Sequence, residues 1–157
     1  GAGGAARGVA LRAAREGASS ITILGRTPER AFVIASMASV VSQKEVRAGA
    51  MSPEATREAA RGADIVVNAT PLGMRGVGED FPSLDFLSAL PDGALVCDLV
   101  YNPPETSLTR RARELGLEAQ NGLDMLIYQA ILADELFWDR RLDRAGLYKV
   151  VKERLRK

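Results

Sequence analysis

Short apolar runs alternate along this chain with longer stretches of helical period, and glycine or proline stands at most of the changes. Residues 5–16, rich in Ala, Leu and Arg, predict a helix with Gly17 just past its C-terminus. Ile21-Thr22-Ile23-Leu24 predicts a short strand. Thr27-Pro28-Glu29 is a helix start, with Thr as N-cap, Pro in the first helical position and an acid in the first turn, leading into an apolar helix to about residue 41. A weak strand follows at 46–48. Ser52-Pro53-Glu54 repeats the start signal for a helix closing near Arg61-Gly62, and Ile65-Val66-Val67-Asn68 reads as a buried strand. A loop rich in Gly, Pro and charge covers 69–82, a short helix 84–90, and Pro91-Asp92-Gly93 turns the chain into a second buried strand at 94–100. Asn102-Pro103-Pro104 breaks that strand; a helix over 106–115 is capped by Gly116, and 117–119 is a last short strand. Residues 123–138 are apolar nearly all round, which predicts a buried or interface-forming helix. A basic amphipathic segment over 145–156 carries Leu147, Val150, Val151 and Leu155 on one stripe.

Alternating strands and helices with short connections predict an α/β fold, a Rossmann-type doubly wound parallel sheet with helices on both faces. Residues 1–120 form the nucleotide-binding domain in this reading, and 121–157 are carboxyl-terminal helices. Gly1, Gly3 and Ala6 fit G-x-G-x-x-G/A, the turn in which bare backbone approaches a pyrophosphate at a helix N-terminus. That fingerprint requires a strand directly before it, and the first glycine is residue 1. A strand, and with it a further domain, is therefore expected upstream. In the order 3-2-1-4-5-6 the absent strand is the central one, so the strands at Ile21 and Ile65 would lack their common neighbour and these residues alone are expected to fold poorly.

Composition narrows the chemistry. With 21 basic and 20 acidic residues, no strong field argues for nucleic acid or a membrane surface. There is no His and only Cys97, which excludes an intrachain disulfide and argues against a metal site. No apolar run approaches the length of a membrane span and no leader pattern is present, so a soluble cytoplasmic protein is expected.

Two arginines sharpen the glycine turn. Where an acid would contact a ribose 2′-hydroxyl, this chain has Gly25-Arg26-Thr27-Pro28-Glu29-Arg30; Arg26 and Arg30 can pair with a 2′-phosphate, and Arg26 can stack on adenine. NADP is thereby preferred to NAD, the alternative being two solvated arginines at a helix start. Asn68-Ala69-Thr70-Pro71-Leu72-Gly73-Met74 and Asp98-Leu99-Val100-Tyr101-Asn102-Pro103 follow strands at their carboxyl ends, where open α/β sheets bind ligands, although each also reads as a simple turn. Gln129 interrupts an apolar helix and needs a buried partner, either protein or substrate.

Together with Asn121-Gly122-Leu123-Asp124-Met125-Leu126-Ile127-Tyr128-Gln129-Ala130, these motifs resemble the carboxyl-terminal half of shikimate dehydrogenase, over roughly residues 1 to 135. The resemblance implies reversible reduction of 3-dehydroshikimate to shikimate with NADPH. It implies that Gly1, Ala2, Gly3, Gly4 and Ala5 hold the pyrophosphate and that Arg26, Thr27 and Arg30 hold the 2′-phosphate. Thr70, the Leu99 backbone and Gly122 would line the nicotinamide, while Tyr101 and Gln129 would reach shikimate. Gly25 departs from the family's usual Asn, which removes a side-chain contact to the ribose. The family's catalytic Lys and Asp belong to an amino-terminal domain not in this sequence, so no catalytic residue is assigned here. Leu126, Ile127, Ile131, Leu136 and Trp138 would form an apolar surface for that domain. A small-molecule substrate is the expected partner, with a homodimer allowed and neither nucleic acid nor membrane. A quinate-using relative, a glutamyl-tRNA reductase-like enzyme and a non-catalytic nucleotide-binding module are the competing readings.

Overall fold

Helix α1 (Gly4–Arg15) turns Ala6, Ala10 and Ala14 to one side, and helix α2 (Pro28–Ser42) answers with Ala31, Ile34, Ala35 and Ala38. These small side chains let the two helices pack closely over strands β1 (Thr22–Gly25) and β2 (Arg47–Ala50), with Ile23 and Val46 completing the cluster. The strands run parallel, in register from Thr22 opposite Arg47 to Gly25 opposite Ala50. The computed structural model describes residues 1–155, so Arg156, part of the expected terminal segment, lies outside the described residues.

Helix α3 (Pro53–Ala60) starts as expected, with the Ser52 side chain accepting a hydrogen bond from the Ala55 amide at 3.1 Å. A second parallel sheet follows in the order β3 (Ile65–Asn68), β4 (Leu95–Asp98) and β5 (Glu118–Gln120). A 3-10 helix (Asp85–Ala89) and helix α4 (Ser107–Glu114) contribute Leu87, Leu108 and Ala112 to its core, beside Val96 and Leu117. Helix α4 opens on a reciprocal capping box between Thr106 and Thr109.

Among the described residues the strands therefore form two separate parallel sheets, β1–β2 and β3–β4–β5, with no ladder between β1 and β3. Strand order, parallel direction and alternation with helices agree with the expected doubly wound arrangement. Two local expectations need correction. Thr27 occupies the N-cap position of α2 but makes no capping side-chain bond; only its carbonyl accepts, from the amides of Arg30 and Ala31. The strand at Ile65 is not buried throughout, because β3 pairs with β4 on one side only and Ile65 is 60% exposed. Helix α2 is apolar on both sides, so Phe32, Val33 and Val40 face outward while the alanine stripe faces the sheet.

Helix α5 (Leu123–Trp138) and helix α6 (Arg144–Leu155) pack against each other. The ring of Tyr128 stacks on Tyr148 with centroids 5.0 Å apart, and the Lys152 ammonium lies 4.9 Å above the Tyr148 centroid while bonded to Asp124 at 2.9 Å. The apolar surface expected on α5 divides. Ile127 and Ile131 are buried, whereas Leu136, Phe137 and Trp138 at the end of the helix are exposed. The expected stripe of α6 is likewise uncovered, since Leu147, Val150, Val151 and Leu155 are all exposed.

Candidate functional site

Within each sheet the parallel strands point their carboxyl ends the same way, and Gly1 lies against both the end of β1 at Leu24 and the residue after β3 at Ala69, which brings the two sets of strand ends together. The first turn of α1 joins them. Its N-cap, Gly3, has no side chain to bond the helix amides, and no acid sits in the first turn. A Cβ on Gly3 or Gly4 would meet nothing within 4 Å, so the helix start is sterically open at both glycines.

The glycine turn is fixed from both sides. The Gly1 nitrogen donates to the Leu24 carbonyl at 2.7 Å, and a Cβ on Gly1 would lie 2.6 Å from the Ala69 carbonyl oxygen. Gly1 thus touches the ends of both sheets. Ala2 fills the space beside Gly25, where an added Cβ would come within 2.9 Å of the Ala2 methyl. This contact is the physical reason a larger residue has no room at Gly25.

A buried polar network holds the second sheet's edge. The Asp98 carboxylate accepts from Asn68 Nδ2 at 2.9 Å and the Val100 amide at 3.0 Å through one oxygen, and from Thr106 Oγ1 at 2.6 Å through the other. The other end of Asn68 accepts from the Thr70 amide at 3.0 Å and the Thr70 hydroxyl at 2.6 Å. Burial pushes the Asp98 carboxyl above the usual carboxylate range, against the opposing pull of its bonds from Thr106, Val100 and Asn68; the nearby Asp80 charge adds to the rise. Reading Asn68 as a residue that merely ends its strand is incomplete, because it ties β3 to β4 and fixes Thr70. The network was not singled out from the sequence, although an aspartate closing the apolar run Leu95-Val96-Cys97 was the available signal.

Beyond β4, Gly122 is the residue of closest approach. A Cβ there would fall 2.0 Å from the Leu99 carbonyl oxygen, while its amide donates to the Val100 carbonyl at 3.0 Å. Gly25, Ala2, Gly1, Ala69, Thr70, Asn68, Asp98 and the Leu99–Gly122 contact thus trace one line along the strand ends. Gly3, Gly4 and Ala5 open onto it from the first turn of α1.

The remaining candidates are more loosely placed. Arg26, Thr27 and Arg30 are exposed at the end of β1 and the start of α2, and Arg26 approaches Glu79 at 3.5 Å. Tyr101 is exposed after β4. Gln129 is exposed on the second turn of α5, where the helix turns Ile127 and Ile131 inward, so no partner within the described residues buries it. No hydrogen bond joins Tyr101 to Gln129 among the described residues. A groove of about 390 Å³ lies between β1–β2 and α3, lined by Leu24, Ala48, Ser52 and Ala59.

Parallel strands in this order, with an open glycine-rich helix start at their carboxyl ends, define a Rossmann-type nucleotide-binding architecture. No protein-family model matches the chain. The shikimate dehydrogenase (NADP(+)) of Symbiobacterium thermophilum is 44% identical over 144 residues, covering 90% of this chain and 48% of that protein. The Methanopyrus kandleri enzyme of the same name is 38% identical over 99% of this chain and 53% of its own length. Among solved structures, shikimate 5-dehydrogenase from Listeria monocytogenes, in complex with shikimate and NAD, superposes with a TM-score of 0.81 at 25% identity, over 96% of this chain and 53% of that one. Quinate dehydrogenase from Corynebacterium glutamicum, in complex with NAD, gives 0.79 at 31% identity, over 98% and 53%. The chain is similar to shikimate dehydrogenases along nearly its whole length and spans about half the length of the curated relatives it matches.

Proposed function

We propose that this chain is the cofactor-binding part of an NADP-dependent shikimate dehydrogenase, which interconverts 3-dehydroshikimate and shikimate. The observation that carries the reading is the uncapped first turn of α1, whose free amides lie beside Gly1 at the meeting of the two strand-end edges. Such a turn suits a pyrophosphate, since among the described residues no side chain caps its amides and its dipole favours an anion. Gly1 to Ala5 bind the pyrophosphate in this proposal, and Arg26, Thr27 and Arg30 bind the adenosine 2′-phosphate. Thr27 is suited to that role because its hydroxyl is not spent on capping α2. The nicotinamide lies against Thr70, the Leu99 backbone and Gly122. When bound, the cofactor supplies hydride at C4 of its nicotinamide.

The chain's own residues orient and enclose. The Asp98–Asn68 network holds Thr70 in a single arrangement, and the glycine contact at Leu99 sets the entry of α5. Tyr101 and Gln129, both exposed here, reach the substrate from the same edge. Proton transfer to the substrate hydroxyl falls to a Lys and an Asp of an amino-terminal domain, which packs on Leu136, Phe137 and Trp138. A strand preceding Gly1 lies between β1 and β3 and pairs with both.

No helix among the described residues is long and apolar enough to cross a membrane. The proposal places the enzyme in the cytoplasm, acting on a small molecule without nucleic acid and allowing a homodimer. The match to quinate dehydrogenase favours one second reading, a quinate-using enzyme with the same cofactor half. Steady-state kinetics of the full-length protein test both. Shikimate oxidation with NADP should exceed quinate oxidation, and Arg26→Ala should raise KM for NADP about tenfold, the value of one lost charge-assisted phosphate contact, with KM for shikimate little changed. An unchanged KM for NADP would remove Arg26 from the clamp, and faster turnover of quinate would establish the second reading.

A further inference from the structure

Arg26, which the proposed function assigns to the 2′-phosphate, already has an anionic partner. Its guanidinium approaches Glu79 Oε2 at 3.5 Å, across 53 positions of sequence. Glu79 belongs to the loop between β3 and the 3-10 helix, on the far side of the gap between the two sheets. The pair therefore spans from the end of the first sheet to the loop that leaves the second.

The loop's backbone presents Glu79 in a defined place. Its carbonyl accepts from the Gly73 amide at 2.9 Å, and the Arg75 amide donates to the Asn102 carbonyl at 2.9 Å. Gly73, Gly76 and Gly78 have φ of +79°, +88° and +75°, a region other residues rarely enter. The next residue, Asp80, is committed elsewhere: its carboxylate accepts from Ser107 Oγ at 2.6 Å and the Phe81 amide at 2.7 Å. Two adjacent acids thus serve different ends, Asp80 anchoring the loop to α4 and Glu79 reaching back to Arg26. An acid is out of place beside a phosphate clamp unless it has a function there, since it attracts the same guanidinium and repels the same anion.

We propose that Glu79 is a specificity-determining residue that competes with the 2′-phosphate for Arg26. It bridges the mouth of the adenosine site in the free protein and releases Arg26 when a 2′-phosphorylated nucleotide enters. This rests on the assignment of Arg26 to the phosphate. Arg26 is 74% and Glu79 59% exposed at the side chain, so the pair is a weak one. Its loss should be worth about a two- to fivefold change in affinity at low salt. The competition thereby tempers NADP affinity and leaves NAD, which brings no phosphate to this position, unaffected.

The test is a fluorescence titration of the full-length protein with NADPH and with NADH, comparing wild type, Glu79→Gln, Arg26→Ala and the double variant. Glu79→Gln should tighten NADPH about two- to fivefold at low ionic strength, with the gain shrinking as salt is added and NADH unchanged. In the Arg26→Ala background the same substitution should have a smaller effect. Weaker NADPH binding by Glu79→Gln, or an equal change for NADPH and NADH, would make Glu79 an orienting or structural residue and overturn the competition. Loss of the Arg26→Ala effect itself would instead overturn the phosphate assignment, so the two failures are distinguishable.

Discussion

The layer built on β1 and β2 and the layer built on β3 to β5 each pack one parallel sheet, with different materials. The first packs six alanines with Ile23, Ile34 and Val46, while the second packs Leu87, Leu90, Leu108, Leu117 and Val96 with three alanines. Alanine removes little area from water, at about 25 cal/mol per Å² of apolar surface, but lets α1 and α2 approach closely. The second layer also carries the buried Asp98–Asn68–Thr106 network, for which the first has no counterpart among the described residues. At the strand ends the contrast continues. The alanine layer offers open backbone at Gly3 and Gly4, suited to an anion, and the leucine layer offers fixed side chains. Close packing of small residues brings backbone to a ligand, whereas a satisfied buried carboxylate holds loops in one arrangement.

The largest effect expected from breaking this contrast is at Asp98. Asp98→Ala strands the donors of Asn68, Thr106 and Val100 in a buried site and should destabilise the fold by roughly 4 kcal/mol, read from denaturant unfolding. A loss below about 1 kcal/mol would mean the network contributes geometry without stability. Next come matched core truncations. Leu108→Ala, at a fully buried position, should cost about 3 kcal/mol, against about 1 kcal/mol for Ala35→Gly in α2. Equal costs would erase the distinction between the layers.

The smallest effect lies outside both layers, where Glu135 bonds Arg144 at 2.6 Å and the Leu142 amide at 3.0 Å, closing the turn between α5 and α6. The bond from Arg144, then that from Leu142, holds its carboxyl down at about 2, from an ordinary 4.5. A depressed carboxylate contributes stability that is complete above the unfolded value and lost as pH falls through the folded one. Protection factors of α6 amides, which correct for the acid slowing of intrinsic exchange, should therefore fall between about pH 4.5 and 2, a window set by those two values, while those of β4 amides hold. In Glu135→Gln the α6 response should disappear; its persistence would place the acid-sensitive contact elsewhere.

Much of this was legible beforehand. Every helix and strand was anticipated within a few residues, because proline at a helix start, glycine past a helix end and β-branched runs act over one or two turns of chain. The glycine turn, the Arg26 element and the motifs after β3, β4 and β5 likewise came from contiguous residues. Misjudged features depend on what lies opposite. Ile65 reads as part of a buried strand, yet with β3 paired on one side only it is 60% exposed. Thr27 has the identity and position of an N-cap, yet its side chain makes no capping bond.

The sequence by itself determined the alternation of strands and helices, the parallel architecture it entails and the resemblance to shikimate dehydrogenase, since each follows from local patterns and motif order. Only the tertiary structure decided that Asp98 gathers three donors, that Ala2 occupies the space beside Gly25, that Gly122 lies against Leu99 and that Glu79 reaches Arg26. Apart from the Asp98 bonds to Val100 and Thr106, these contacts join residues more than twenty positions apart. Their distances are set by how whole layers pack, and no local period encodes that.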